Sequence, residues 1–390
     1  MKSVTNLRGM IYTKDCVFEP GELVVEDGII KEVRICEYSA LSCGEQQKYL
    51  IPGLVDVHFH GAAGYDFCDG TKEALQAITA YENEHGITSI CPATMSLPVA
   101  ELENILAVAA EWKDGQTILP GEVCKAQSQS LCGIHLEGPF IAKEKKGAQK
   151  EENIIPADIA TLRKIQEKAN GLIKLVTIAP ETEGAMECIE ELKDQFHFSV
   201  GHTMAGFDMA CNAFEAGADH VTHLYNAMIQ GTHREPSVPE AAADYGNVFM
   251  ELICDGVHVH PSVVRNAFRI YGDDRVVLIS DSMRATGMAD GEYTLGGQKV
   301  LVNGEQAMLE DGTIAGSVAN LYDCMKKAIA MGIPKESAIK AATINPARSI
   351  GVDKEVGSIE VGKRADILAI DEDLILETIM IGGIICKQDY

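Results

Sequence analysis

With 390 residues and 46% hydrophobic content, the chain can bury a large core, and its length fits one big domain plus a smaller one rather than a disordered or fibrous protein. Lysine and arginine total 33 against 58 aspartate and glutamate, a net charge of -25 that repels nucleic-acid backbones and anionic membranes. An anionic metabolite is admissible only where a few basic groups gather locally, since screening limits the reach of distant charge to about 10 Å.

Met1-Lys2-Ser3-Val4-Thr5-Asn6 leads into no apolar signal core, and no uncharged stretch is long enough to span a bilayer, so a cytoplasmic protein is expected. The 12 cysteines are scattered without a C-x-x-C pair, which points to reduced core thiols rather than a zinc ribbon or disulfide framework. Cys91, Cys132 and Cys254 are expected inside strands.

Residues 1–52 show short strands broken by turns, with Glu26-Asp27-Gly28 as a hairpin signal between Leu23-Val24-Val25 and Ile29-Ile30. From residue 54 to 281, short apolar runs alternate with segments of helical period, the pattern of repeated βα units around a parallel sheet. The runs are 54–60, 87–94, 131–137, 173–179, 198–202, 220–224, 248–254 and 276–281. Helices are expected at 73–84, 157–169, 184–195 and 207–216, several ended by glycine. Glu144-Lys145-Lys146-Gly147 is a loop, and 356–370 and 380–385 return to β-like texture with glycine turns. The fold class expected is α/β: a (β/α)8 TIM-like barrel over 53–353, with a small β-sandwich domain built from 1–52 and 354–390.

In such a barrel the chemistry gathers at the C-terminal strand ends. Here those ends carry His58 and His60, then Glu137, His202, His223 and Asp281. His58 and His60 are two apart on an apolar run just before Gly61, so on a strand they face the same way and can reach one cation. The plainer alternatives are hydrogen-bonded histidines at a barrel mouth, a helix cap at His202 and an N-cap at Asp281. His223 is nearer its strand end than His220, which faces the other way and is expected to be structural. His85, His197 and His233 lack partners in this pattern, His135 shares a face with Glu137, and Asp56 is placed to orient a neighbouring histidine.

The arrangement resembles the amidohydrolase superfamily over nearly the whole chain. The motifs are Pro52-Gly53-Leu54-Val55-Asp56-Val57-His58-Phe59-His60-Gly61, Gly133-Ile134-His135-Leu136-Glu137-Gly138-Pro139-Phe140 and Thr222-His223-Leu224-Tyr225-Asn226-Ala227-Met228. Cys254-Asp255-Gly256-Val257-His258, Ser280-Asp281-Ser282-Met283 and Ala342-Thr343-Ile344-Asn345-Pro346-Ala347-Arg348 extend it. The His-Leu-Tyr-Asn-Ala-Met and Leu-Glu-Gly-Pro-Phe motifs resemble those members that act on N-acetylated amino-sugar phosphates.

That resemblance implies hydrolysis of the acetamide of N-acetylglucosamine 6-phosphate, giving acetate and glucosamine 6-phosphate, with N-acetylgalactosamine 6-phosphate as the nearest alternative. It implies Glu137, His202 and His223 as metal ligands, with His58 and His60 able to hold a second ion that Glu137 bridges. One or two divalent ions per subunit are expected, as zinc, iron, manganese or cobalt. Asp281 is implied as the catalytic acid/base, taking a proton from the attacking water and returning it to the departing amine. The implied substrate contacts are Asn226, Ala227, Arg234 and His258, with Ala148, Gln149 and the stretch Ile314, Ala315, Gly316 closing the pocket. Arg234 is the local cation, its planar fork suited to phosphate, although by itself it would also pass for a surface charge. Some relatives carry histidine where Gln149 stands; glutamine can donate a hydrogen bond to an amide carbonyl but carries no charge. The resemblance also implies a homodimer.

Two other classes are disfavoured. A cyclic-amide hydrolase would want a strand-end lysine suitable for carbamylation, which is missing, and a non-catalytic metal-binding scaffold would not need Asp281.

Overall fold

The computed structural model describes residues 4–36, 47–115 and 128–388. Met1 to Ser3, where the reading for a signal core began, lie outside the described residues. Three antiparallel strands come first, β1 (Val4–Tyr12), β2 (Phe18–Glu26) and β3 (Ile29–Ile35), followed by β4 (Tyr49–Pro52). The β2–β3 turn falls on Asp27 and Gly28, both with positive φ (51° and 80°), as the acidic-Gly signal requires.

The parallel strands follow in order, with helices between them. They are β5 (Leu54–Asp56), a small ribbon of β6 (Gly61–Ala62) and β7 (Tyr65–Asp66), α1 (Lys72–Glu84), β8 (Ile87–Ile90), α2 (Val99–Gly115) and β9 (Ile134–Glu137). Next are α3 (Ile159–Lys168), β10 (Ile173–Ile178), α4 (Ala185–Leu192), β11 (His197–Val200), α5 (Phe207–Ala216) and β12 (His220–Val221). Then come α6 (Val238–Ala243), β13 (Phe249–Ile253), α7 (Pro261–Tyr271) and β14 (Val276–Ile279). The helices start where sequence chemistry dictates: the Thr71 and Asp158 side chains accept from the backbone N–H of Ala74 and Thr161.

After β14 an antiparallel insertion appears, β15 (Gly291–Leu295), β16 (Gln298–Asn303) and β17 (Gln306–Leu309). Three helices follow, α8 (Leu321–Ala330), α9 (Lys335–Ala342) and α10 (Ile344–Ser349), and then β18 (Ile367–Ile370), β19 (Leu376–Ile381) and β20 (Ile384–Gln388).

Strands β9 to β14 form one six-stranded parallel sheet in sequential order. On one side, β8, itself paired in parallel with β5, meets it through the bridges Ile90–Leu131 and Ala93–His135. On the other side, the Asp281 N–H donates to the His58 carbonyl (2.9 Å), just past β14 and β5. A seven-stranded sheet in the order β20-β19-β18-β4-β1-β2-β3 draws on both ends of the chain. Its residues alternate strictly. Leu50, Ile367 and Ala369 belong to one small core, while their neighbours Ile51, Leu368 and Ile370 join the large core between the helices and the parallel strands.

The observed strands are shorter than the apolar runs suggested. Pairing stops at Asp56, Ile90, Val200, Val221 and Ile279, so His58, His60, His202, His223 and Asp281 all lie beyond the ladder. Cys91, Cys132 and Cys254 likewise flank strands rather than lie within them. All described cysteines are free thiols. No helix among the described residues is long and apolar enough to cross a membrane.

Candidate metal centre and active site

Each polar residue of the site sits where its strand gives way to a turn. His202, His223 and Asp281 come two positions after the last residue of β11, β12 and β14, and each has a left-handed backbone, with φ of 46°, 28° and 49°. For residues with a Cβ this costs on the order of 1–3 kcal/mol apiece, strain that accumulates where geometry serves a site. The turns aim His202 and His223 at the carboxylate of Glu137, the last residue of β9, and Asp281 at the imidazole of His60. His58 and His60 reach the same carboxylate although they share no strand. Past Asp56 the chain is held by the segment after β14, with His60 N–H donating to the Ser282 carbonyl at 2.7 Å.

Four imidazole Nε2 atoms surround Glu137. Oε1 lies 3.2 Å from His202, 3.3 Å from His223 and 3.3 Å from His58, and Oε2 lies 3.3 Å from His60. The His202 and His223 Nε2 atoms are only 3.0 Å apart. Asp281 Oδ1 approaches His60 Nε2 at 3.3 Å and His58 Nε2 at 3.8 Å. The opposite ring nitrogens explain the orientation. His202 Nδ1 donates to the Lys145 carbonyl (2.7 Å) and His58 Nδ1 to the Glu251 carboxylate (2.8 Å), which leaves lone pairs on both Nε2 atoms facing inward.

Converging lone pairs around a carboxylate repel one another unless a positive charge lies among them. His58 Nε2 is moreover a fully buried atom with no hydrogen-bond partner. Glu137, His202 and His223, and separately His58, His60 and Glu137, bring one ligand atom each within the span a single ion bridges. The donor set of imidazole and carboxylate suits zinc and neighbouring divalent ions.

Before a cation is bound, protons on the imidazoles supply that positive charge. Burial opposes charge on Glu137, yet the His58 charge and hydrogen bonds with His202 and His223 hold its carboxyl well below the ordinary range. Burial likewise opposes charge on Asp281, but the hydrogen bond to His60 and the charges of His58 and His60 hold its carboxyl below the ordinary range. Burial also disfavours a charged His60, yet Asp281 and Glu137 push its pKa up to about 10.

The cluster forms one end of a cavity of about 340 Å3. His60, Glu137, His202, His223 and Asp281 open into it, with Ala148, Gln149, Asn226, Ala227, His258, Ile314 and Gly316 around them. His58 is wholly buried behind this wall, as is Ala315 between Ile314 and Gly316. Arg234 is not brought in: it lies exposed in the loop before α6. Gln149 is tied at both ends, accepting from Ser96 N–H at 2.5 Å and donating to Glu137 Oε2 at 2.9 Å, so its amide first steadies the carboxylate. His258 Nδ1 donates to Asp255 (2.7 Å), and although burial disfavours its charge, that carboxylate raises its pKa.

Several lining groups went unnoticed in the sequence. Leu295 ends β15 of the antiparallel insertion, whose Gly296-Gly297 and Asn303-Gly304 hairpin signals were legible but unused. Lys145, read only as loop, lines the cavity and supplies the carbonyl that orients His202. Glu251 is a single acid in an apolar strand, a signal that also went unused. His135 does not face the cavity; its Nδ1 meets the Val57 carbonyl at 3.2 Å and its Nε2 meets Thr177 Oγ1 at 2.7 Å, and its ring packs on His58 with centroids 4.4 Å apart. Asp56 accepts from the His58 N–H (3.2 Å) and from Ser280 Oγ (2.5 Å), bracing the backbone rather than an imidazole.

A parallel α/β sheet whose C-terminal edge gathers imidazoles and carboxylates at one cavity defines a metal-dependent hydrolase of the α/β class. Residues 49–386 match the Amidohydrolase family, and the chain belongs to that family. It is 37% identical over 381 residues to N-acetylglucosamine-6-phosphate deacetylase of Bacillus subtilis (strain 168), covering 96% of this chain and 95% of that one. It is 32% identical to N-acetylgalactosamine-6-phosphate deacetylase of Escherichia coli O157:H7, with 96% of each chain covered. Among solved structures, a mutant of the Mycobacterium smegmatis N-acetyl-D-glucosamine-6-phosphate deacetylase in complex with N-acetyl-D-glucosamine-6-phosphate superposes with a TM-score of 0.88. That match is at 29% identity and covers 99% of this chain and 100% of that one.

Proposed function

We propose that this chain hydrolyses the acetamide of N-acetylglucosamine 6-phosphate to glucosamine 6-phosphate and acetate. The observation that carries the reading is the meeting of Glu137, His202, His223 and Asp281 at the end of a cavity sized for a sugar phosphate. Full-length similarity to deacetylases of that substrate supports it.

Glu137, His202 and His223 would hold one divalent cation, and His58 and His60 with Glu137 a second. Such a cation supplies a water of lowered pKa and stabilises negative charge on the acetyl oxygen. The chain's own residues do the rest. Asp281, ionised and open to the cavity, accepts the proton of the attacking water and delivers it to the amine nitrogen as the C–N bond breaks. No covalent enzyme intermediate is required. His258, whose charged form the Asp255 carboxylate favours, and Asn226 with Ala227 hold the phosphate end. Ala148, Gln149 and the segment Ile314, Ala315, Gly316 close the pocket around the sugar. Arg234 joins the phosphate contacts in a homodimer, in which a neighbouring subunit covers the open side of the cavity.

The same proposal takes the parallel strands as a closed (β/α)8 barrel over 53–353. Residues 1–52 and 354–390 then form a small β-sandwich domain, and the protein is cytoplasmic. N-acetylgalactosamine 6-phosphate is the second reading, favoured by the 32% identity to a deacetylase of that sugar. Acetate release by the metal-analysed protein from both sugar phosphates and from unphosphorylated N-acetylglucosamine tests all of this together. Fast release from N-acetylglucosamine 6-phosphate alone is expected, and no release from any of the three defeats the reading.

A further inference from the structure

Glu251 is a carboxylate with no exposure to solvent, set in β13 between Met250 and Leu252, which are equally buried. An acid in such a place is costly unless its partners are fixed and hydrogen-bonded. One oxygen, Oε2, accepts from His58 Nδ1 at 2.8 Å and from the backbone N–H of His223 at 3.2 Å. The Glu251 backbone carbonyl accepts from Leu224 N–H at 2.7 Å. A single residue thus grips a side chain that follows the first parallel strand and the backbone that bears His223.

The consequence falls on His58. With its Nδ1 proton committed to Glu251, the ring has one tautomer, and its Nε2 lone pair is turned toward Glu137 Oε1 at 3.3 Å. The ring cannot swing away. His135 packs against it at 70°, and both nitrogens of His135 are occupied by Val57 and Thr177. His60 has no such carboxylate behind it: its Nδ1 is a buried atom without a partner. The half of the centre made by His58, His60 and Glu137 therefore depends on Glu251 for its one imidazole held from behind, at Nδ1.

We infer that Glu251 is the positioning residue that makes His58 a metal ligand, and so sets whether the centre holds two ions or one. The inference rests on the metal-centre reading above. Its test is metal stoichiometry and affinity in the full chain, titrated with manganese(II) and followed by paramagnetic resonance, for wild type, Glu251→Leu, Glu251→Gln, His58→Asn and the double variant His58→Asn with Glu251→Leu.

Wild type is expected to bind two ions with a spin-coupled signal. Glu251→Leu is expected to weaken the second ion by roughly 10–100-fold, the usual cost of losing a partner behind a ligand, and to leave a mononuclear signal at limiting metal. Glu251→Gln retains an oxygen for the His58 Nδ1 proton and should recover part of that loss. The double variant should bind no more weakly than His58→Asn alone, because both changes remove one interaction. Under catalytic conditions kcat falls while KM holds.

A purely structural Glu251 would lower the melting temperature while both ions, the coupled signal and additive penalties remained, and that result overturns the inference. A wild type with only one tight ion also overturns it. A wild type that binds none defeats the underlying metal-centre reading instead. Should Glu251→Leu fail to fold, Glu251→Gln and its double variant with His58→Asn decide by the same criteria.

Discussion

Two clusters of histidine and carboxylate occupy opposite edges of the same parallel sheet, and they are built differently. At the C-terminal edge, Glu137 lies among four imidazoles, two of which, His202 and His223, stand on left-handed backbone. At the N-terminal edge, His197, Asp219 and His220 also come close enough to share an ion. There, however, each oxygen of Asp219 takes one Nδ1 proton, from His197 at 2.7 Å and His220 at 2.6 Å. The strands carrying these two histidines begin with ordinary backbone, and His197 and Asp219 are partly open to solvent. In the lower cluster both Nδ1 atoms are paired with Asp219, while the buried Nε2 of His220 has no partner. The upper one has spent backbone strain to aim donors at a common point. Residue type, and even a buried nitrogen without a partner, are shared between them; left-handed backbone and an opening into the cavity are not, and these separate a site from a brace.

The sharpest way to break that contrast is at Asp281. Asp281→Asn should lower kcat by roughly 10²–10⁴-fold, the range lost with a general acid/base, while metal content holds; activity near wild type would remove it from proton transfer. Next in size, Glu137→Gln withdraws the charge that four imidazoles share. Its loss of metal affinity should exceed the roughly 10–100-fold that an outer partner costs, as read by competition with a chelator.

A smaller effect is expected at His258. His258→Asn removes a charge-assisted contact, so KM for the phosphorylated sugar should rise about tenfold with kcat little changed. The unphosphorylated sugar should show no difference, and equal effects on both would place His258 elsewhere in the pocket.

The smallest effect lies at the lower cluster and is one of stability. Burial opposes charge on Asp219, but the His220 charge and the hydrogen bonds with His197 and His220 hold its pKa far below the ordinary range. A depressed carboxyl stabilises the folded state fully above its unfolded value of about 3.9 and loses that contribution as pH falls toward the folded one. Asp219→Asn should therefore destabilise by about 1–3 kcal/mol at pH 7, with the gap to wild type closing below about pH 4 in denaturant titrations. Metal content and kcat should not move; a loss of metal there would mean that the lower triad is a second centre.

Much of this was legible in the sequence. Val276 to Ile279 announces a buried parallel strand by an unbroken β-branched and apolar run, Ile173 to Ile178 does so with a break only at Lys174, and Phe207 to Ala216 announces a helix closed by Gly217. The six polar strand-end residues were found because strand ends carry chemistry in such folds. Their approach path was misjudged at His58 and His60. The period-two argument placed them on one strand, whereas the ladder ends at Asp56 and bonds to the far side of the sheet carry the chain onward. No local pattern encodes that, because it depends on Ser282, far along the chain. The same holds for Glu251, whose meaning comes only from the imidazole it meets in space. Arg234 shows the converse: a motif position recognisable in sequence whose side chain lies outside the cavity of a single chain.

The central claim is that distant segments meet to hold an ion at the C-terminal edge of the parallel sheet. Anomalous X-ray scattering from crystals of the metal-loaded protein, collected at the edge of the bound element, tests it most directly. The account predicts a peak within bonding distance of Glu137, His202 and His223. A protein that is active but shows no peak there, or shows one only beside His197, Asp219 and His220, would contradict it.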